Sequence, residues 1–255
     1  MSPEWPDYYS SLRPFRAVFA RGNPILTYHK LGPRPAGVRI KGLYVSARLF
    51  QRQLRELATA GFQAGLLGKC AGPQQEKRMV ITFDDGYVNV LRHGLGALAE
   101  TGFRAVQFLV PDLLGQHNRW DVAVGEAPEP MMDADQVREW LAAGHEIGSH
   151  TLTHPFLTQL APAQAREEIS ASRKKLEDLF GRPIEHFCYP YGDWNEMVRD
   201  LVVEAGYKTA CTTDAGINTA ADSPYSLKRF TARYASRNWQ ALQDRVRSWF
   251  RRANA

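Results

Sequence analysis

The sequence predicts an α/β protein built of parallel strand–helix units, and three observations carry that expectation. Short runs of β-branched and aromatic residues alternate along the chain with longer stretches of helical periodicity. Polar, glycine-rich clusters repeatedly follow the strand runs, where parallel folds gather their functional groups. A chain of 255 residues at 44% hydrophobic content is long enough for one large core, and an α/β barrel of that length is ordinarily a single domain.

Taken in order, residues 1–22 place Trp5, Tyr8, Tyr9, Leu12, Phe15, Val18 and Phe19 at roughly helical spacing, with Arg13, Arg16 and Arg21 interleaved. That predicts a helix packed on the body, with a surface-lying helix as the alternative. Residues 24–29 read as the first core strand, ending in His29, which is either a hydrogen-bonded rim residue or a catalyst. Ser46 caps an expected helix over 47–60, stopped at Gly61. A buried strand follows over 80–83, a helix over 88–101 closed by Gly102, and a strand over 105–110. The irregular stretch 111–132, containing Trp120 and Asp121, is long enough to be functional. Further helices are expected over 134–143, 163–180 and 195–205, and strands over 146–148, 186–189, 208–212 and 225–230. Residues 238–252 form a last amphipathic helix, with Trp239, Leu242, Val246, Trp249 and Phe250 along one side and arginines around it.

Composition narrows the function classes. A net charge of +5 suits an anionic ligand or a membrane surface, but with no basic-aromatic stripe it does not argue for nucleic acid. Cys70, Cys188 and Cys211 are odd in number and scattered, which gives no disulfide framework and no metal knuckle. The first 24 residues show no apolar signal core, and no stretch reaches transmembrane length. The expectation is therefore a soluble, cytoplasmic chain. The last helix either packs on the barrel or brings the protein to the inner face of the membrane through anionic lipid.

The chemistry centres on Thr82-Phe83-Asp84-Asp85-Gly86. Adjacent carboxylates at a strand end repel, so a core has no use for them. Either one is held by a cation while the other handles protons, or the pair is a solvated turn with Asp85 capping the next helix. His150 and His154 lie four apart in Ser149-His150-Thr151-Leu152-Thr153-His154. Two imidazoles at that spacing can converge on one ion, and one carboxylate completes a set of three that leaves room for water and substrate.

These two motifs together resemble the polysaccharide deacetylase family, also called NodB-homology domains, over roughly residues 24–235. Pro190-Tyr191-Gly192 is similar to that family's third motif. Residues 25–32 and 44–62 resemble the branch acting on poly-N-acetylglucosamine. The resemblance implies a distorted (β/α)7-type barrel of one domain over 24–235; residue spacing adds an N-terminal helical extension over 1–23 and an amphipathic helix over 236–255. The resemblance also implies a hydrolase that removes acetyl groups from an N-acetylated sugar or glycan. Asp84 would be the base, and Asp85, His150 and His154 would hold one divalent metal ion, zinc first, with cobalt or nickel as alternatives. The Tyr191 N–H would bind the oxyanion, and Pro190, Tyr191, Trp120 and Trp194 would line the sugar cleft.

Two positions depart from the pattern. Cys188 stands where an arginine usually pairs with the base, and Leu227-Lys228-Arg229 lacks the usual histidine acid. His29, His145 or Asp84 acting twice are the candidates for the acid. An arginine at position 188 is expected to shift the acid limb of the pH profile downward, unless Arg229 or Arg233 already occupies the place. A carbohydrate-binding protein without turnover and a hydrolase of a non-sugar amide remain the rival readings.

Overall fold

A computed structural model describes residues 5, 6 and 8–232. In chain order the elements are β1 (Tyr8–Tyr9), α1 (Arg16–Phe19), β2 (Ile25–Tyr28), β3 (Lys30–Leu31), β4 (Tyr44–Val45), α2 (Ala47–Thr59), β5 (Gln63–Ala64), β6 (Arg78–Phe83), α3 (Val88–Thr101) and β7 (Ala105–Leu109). They continue with α4 (Arg119–Val122), α5 (Ala134–Ala142), β8 (Glu146–Ser149), α6 (Pro162–Phe180), β9 (His186–Cys188), α7 (Glu196–Glu204), β10 (Thr209–Cys211) and β11 (Phe230–Ala232).

The main sheet runs β1-β11-β2-β6-β7-β8-β9-β10, with β5 added on β6, and its pairings are parallel. Leu227, leading into β11, makes a parallel bridge to Cys211 of β10, which brings the ends of the curled sheet together. This is the expected distorted (β/α)7 barrel in one domain. Strand β6 shows why it sits at the centre. Residues 79–83 are all buried, as a strand covered on both faces must be.

Two apolar clusters follow from strand alternation. The larger joins the helix-facing residues, among them Leu26, Ile81, Phe83 and Leu109, to Phe50, Leu54 and Leu57 of α2. The smaller takes the opposite faces, Ile25, Val80, Val106, Phe108, Cys188 and Cys211, and fills the inside of the barrel. Local signals read from sequence hold here. Ser46 accepts from the Leu49 N–H to cap α2, and Gly102 ends α3 in the left-handed conformation at φ 70°.

The N-terminal stretch differs from the single helix expected over 1–22. Tyr8–Tyr9 pair with β11, a 3-10 turn spans Arg13–Phe15, and only four residues of α-helix follow. Pro14 explains part of this, because proline is accepted in a first turn but not inside a helix. The rest is tertiary. Tyr9, Phe15 and Phe19 cluster with Phe230 of β11, Phe15 and Phe19 lying 5.1 and 5.5 Å from it. The expected helix 238–252 and Arg233 lie outside the described residues. Among those residues, no helix is long and apolar enough to cross a membrane.

Candidate active site

The carboxyl ends of β6, β8 and β9 converge. After Phe83 the chain turns sharply, with Asp85 at φ 77° and Gly86 at φ 92°. At φ 92° any L side chain is strained, and a Cβ on Gly86 would in addition lie 2.9 Å from Leu109 Cδ2. Helix α3 starts one residue later with Tyr87 at its N-cap and no side-chain cap. Asp85 is therefore not a helix cap. It faces two imidazoles.

Asp85 Oδ1 lies 3.4 Å from His150 Nε2 and 3.3 Å from His154 Nε2, and all three residues are buried. The Cys188 carbonyl lies 2.7 Å from His150 Nδ1 and can only accept, so Nδ1 carries the proton there. In the neutral ring Nε2 then presents a lone pair to a carboxylate, which leaves an electron-rich centre suited to a cation. His154 Nδ1 is buried with no partner among the described residues. Burial works to raise the Asp85 carboxyl, and the two histidines outweigh it and hold it well below the usual range. With no cation, burial lowers both imidazoles. Neighbouring Cys188, Asp85 and Asp84 turn His150 upward, while His154 stays lowered beside it, so the pair does not accept two protons readily. The donor set fits one divalent ion. Asp84, His150 and Cys188 also lie close together, but burial pushes the Cys188 thiol up to about 11 and makes it the poorer ligand.

Asp84 faces a different partner. Arg229 donates from Nη1 to Oδ1 and from Nη2 to Oδ2, both at 2.8 Å, a bidentate pair in a fully buried place. Its Nη2 also lies 3.2 Å from Cys188 Sγ. Arg229 precedes β11, and its side chain runs through the barrel interior past Thr82 and over Phe108 to reach the carboxylate. The position beside the carboxylate that Cys188 leaves without charge is thus filled from another strand. Burial raises the Asp84 carboxyl, and Arg229 and then His29 bring it below its usual value. His29 Nε2 lies 3.7 Å from Asp84 Oδ2, with the side chain 19% exposed.

Around this centre, Trp120 stacks on His154 with centroids 4.0 Å apart. Tyr191 meets His154 edge-on at 4.6 Å and stacks on Phe156 at 3.9 Å. Pro190 is buried in the preceding turn. Trp194 stacks instead on Tyr189, 5.8 Å away. His145 is not in the site. It precedes β8 while His150 follows it, so the two lie at opposite ends of that strand.

Backbone strain marks the same place. Among the described residues, five non-glycines have positive φ, and four of them are Asp85, Thr151, His154 and Tyr191. Such conformations persist only where surroundings impose them. Sequence reasoning missed several supporting groups. Gln107 of β7 donates from Nε2 to the carbonyls of Phe83 and Asp84, fixing the turn that carries both acids. Lys30, Tyr87 and Asp121 form a buried polar set beside Asp85. A buried polar residue inside a strand, such as Gln107, is the one signal that could have been read.

Comparison with known proteins agrees with this geometry. The polysaccharide deacetylase family profile matches residues 71–210. A Bacillus subtilis (strain 168) protein, YxkH, named for the polysaccharide deacetylases, is 26% identical over 212 residues, covering 81% of this chain and 70% of its own. A chitooligosaccharide deacetylase of Azorhizobium caulinodans is 38% identical over 66 residues, a short match covering 26% of this chain and 31% of that protein. In structure, the Streptococcus pyogenes deacetylase PplD superposes with a TM-score of 0.72 at 23% identity, covering 83% of this chain and 92% of that one. IcaB from Ammonifex degensii gives 0.71 at 21% identity, covering 88% and 96%. At those identities the structural likeness is one of fold.

Proposed function

This chain belongs to the polysaccharide deacetylase family, and from that premise we propose that it hydrolyses the acetamido group of an N-acetylated sugar unit in a glycan or glycan precursor. It is an enzyme acting on carbon–nitrogen bonds other than peptide bonds. The observation that carries the finer reading is the division of labour between two adjacent carboxylates. Asp85 faces two imidazoles, and Asp84 is held apart by a bidentate arginine.

Asp85, His150 and His154 are the residues that would hold a divalent metal, zinc first. When bound, such an ion polarises the acetyl carbonyl and lowers the pKa of a bound water. Asp84 accepts the water's proton as the oxygen attacks the carbonyl carbon. Arg229 keeps that carboxylate charged and pointed, since both of its oxygens are fixed. The Tyr191 N–H is the donor for the developing oxyanion, in a turn held at φ 59°. As the carbon–nitrogen bond breaks, His29 supplies the proton the leaving amine needs; its Nε2 lies 3.7 Å from Asp84 Oδ2 and its side chain is partly exposed. With an acid beside the base, a sugar-binding protein without turnover is the weaker reading. Trp120 and Tyr191 present ring faces for the sugar.

The test is acetate release from a panel of N- and O-acetylated oligosaccharides, with zinc, cobalt or nickel added. Asp84→Asn is expected to keep its metal and to lose at least about 100-fold in kcat. An Asp84→Asn protein as active as wild type would remove Asp84 as the base. Release only from non-sugar amides would move the substrate class.

A further inference from the structure

The segment that carries Trp120 is fastened to the barrel by buried charge. Three donors meet on one oxygen of Asp121. Lys30 Nζ lies 2.9 Å from Oδ2, Asn118 Nδ2 2.7 Å, and Tyr87 OH 3.2 Å. Lys30 is 1% exposed, with its ammonium 4.6 Å from the Tyr87 ring centre. Nearby, Glu126 accepts from the N–H groups of Arg39 and Ile40, and Tyr44 donates to Glu129. Apolar side chains of similar size would fasten such a segment at least as well, because buried ion pairs seldom repay their desolvation. The polar choice at Asp121 is therefore better explained by what its carboxylate faces.

The second oxygen is the informative one. Asp121 Oδ1 accepts no hydrogen bond among the described residues, and it is not sealed, although Asp121 is only 7% exposed. Asp121 follows Trp120, whose ring lies 4.0 Å from that of His154, and Tyr191 meets the same imidazole edge-on. An immobile, unsatisfied acceptor thus stands beside an aromatic face at the cleft. That pairing suits a pyranose, which offers an apolar C–H face to a ring and hydroxyl donors at its edge. Lys30 balances the Asp121 charge, so the matching donor is a neutral hydroxyl rather than an ammonium.

We propose that Asp121, clamped by Lys30, Asn118 and Tyr87, is the hydroxyl acceptor of a sugar subsite whose platform is Trp120. The proposal rests on the sugar reading above and adds a specificity residue to it. In Asp121→Asn the donors claim the amide oxygen, and the amide NH2 turns to the cleft, replacing an acceptor with a donor. In Lys30→Met/Asp121→Leu the clamp is apolar and no acceptor remains. Calorimetric titration with tetra-N-acetylchitotetraose, alongside melting temperatures, tests both. Binding is expected to weaken by about tenfold or more in each variant, with the double variant melting cooperatively near wild type. A dissociation constant within about twofold of wild type in a folded variant would overturn the proposal. So would loss of the cooperative melt in both variants, which makes Asp121 a structural group only. If the wild-type chain neither binds nor deacetylates the sugar, the substrate reading fails and this subsite with it. Tight wild-type binding unchanged by the variants sinks the subsite alone.

Discussion

Arg229 changes what a substitution at Cys188 would do. With a guanidinium already spanning both Asp84 oxygens and touching Cys188 Sγ, a second arginine has no carboxylate left to pair with. The expectation from sequence, an acid limb moved downward in Cys188→Arg, gives way to a destabilised protein. Urea unfolding should show a loss of at least about 3 kcal/mol for Cys188→Arg and about 1 kcal/mol for Cys188→Ala. Arg229→Met leaves a buried carboxylate unpaired and should cost about 3–5 kcal/mol. A Cys188→Arg protein as stable as wild type would mean that Arg229 does not hold Asp84. His145 offers a pH test away from the site. Burial, with Arg104 adding to it, pushes this imidazole down to about 4 from 6.5. The unfolded chain therefore takes up a proton first as pH falls, so stability is intact above pH 6.5 and declines between 6.5 and 4. In that window the slope from this group approaches about 1.4 kcal/mol per pH unit, and His145→Phe should flatten it. Denaturation midpoints at pH 7.5 and 5.0 that fall equally in both proteins would refute this.

At the scale of elements, the strand ends do the positioning. Strand β8 carries Gly148 two residues before His150, and a Cβ there would sit 2.8 Å from the His186 carbonyl and 2.6 Å from the Phe108 ring. A backbone carbonyl cannot swing away, so Gly148→Ala must push β8 from β9. The expected cost is about 1–3 kcal/mol, together with weaker metal uptake, because the His150 bond to the Cys188 carbonyl spans those two strands. Metal titration followed by elemental analysis reads the second effect, and full loading at wild-type affinity would show that β8 tolerates the methyl. The helices were legible because capping is local, as at Ser46 and Gly102. The N-terminal stretch was misread because its aromatic spacing serves a cluster on Phe230, more than 200 positions away, rather than a helix face.

For the whole molecule, the barrel separates stability from chemistry along its axis. A cavity of about 420 Å³, lined by Arg78, Val80, Arg104, Val106 and Glu146 among others, lies at the amino ends of β6, β7 and β8. Asp84, Asp85, His150 and His154 lie at the other end, after the carboxyl ends of β6 and β8. Metal binding should register in the fold as a whole, since an ion bound only by the native state stabilises it by about 2.7 kcal/mol at 100 times its dissociation constant. That corresponds to a rise of about 5–10 °C in Tm for a chain of this size. Zinc added after chelation should raise the Tm of wild type and of Asp84→Asn, and not that of Asp85→Ala or His150→Ala. An equal rise in all four would end the assignment of the ligand set.

The sequence by itself determined the alternation of strands and helices, the placing of Asp84, Asp85, His150 and His154 at strand ends, and the membership of the family. Each of these is written in local pattern: hydrophobic period, glycine stops, and motifs of five or six consecutive residues. Only the tertiary structure decided which charge supports Asp84, which histidine stands beside it, and what fastens Trp120. Arg229 is 145 positions from Asp84, Lys30 is 91 from Asp121, and His29 is 55 from its carboxylate. No periodicity links such pairs. They meet because a parallel barrel brings the ends of strands far apart in the chain to one rim, and because a long side chain can cross the barrel's interior.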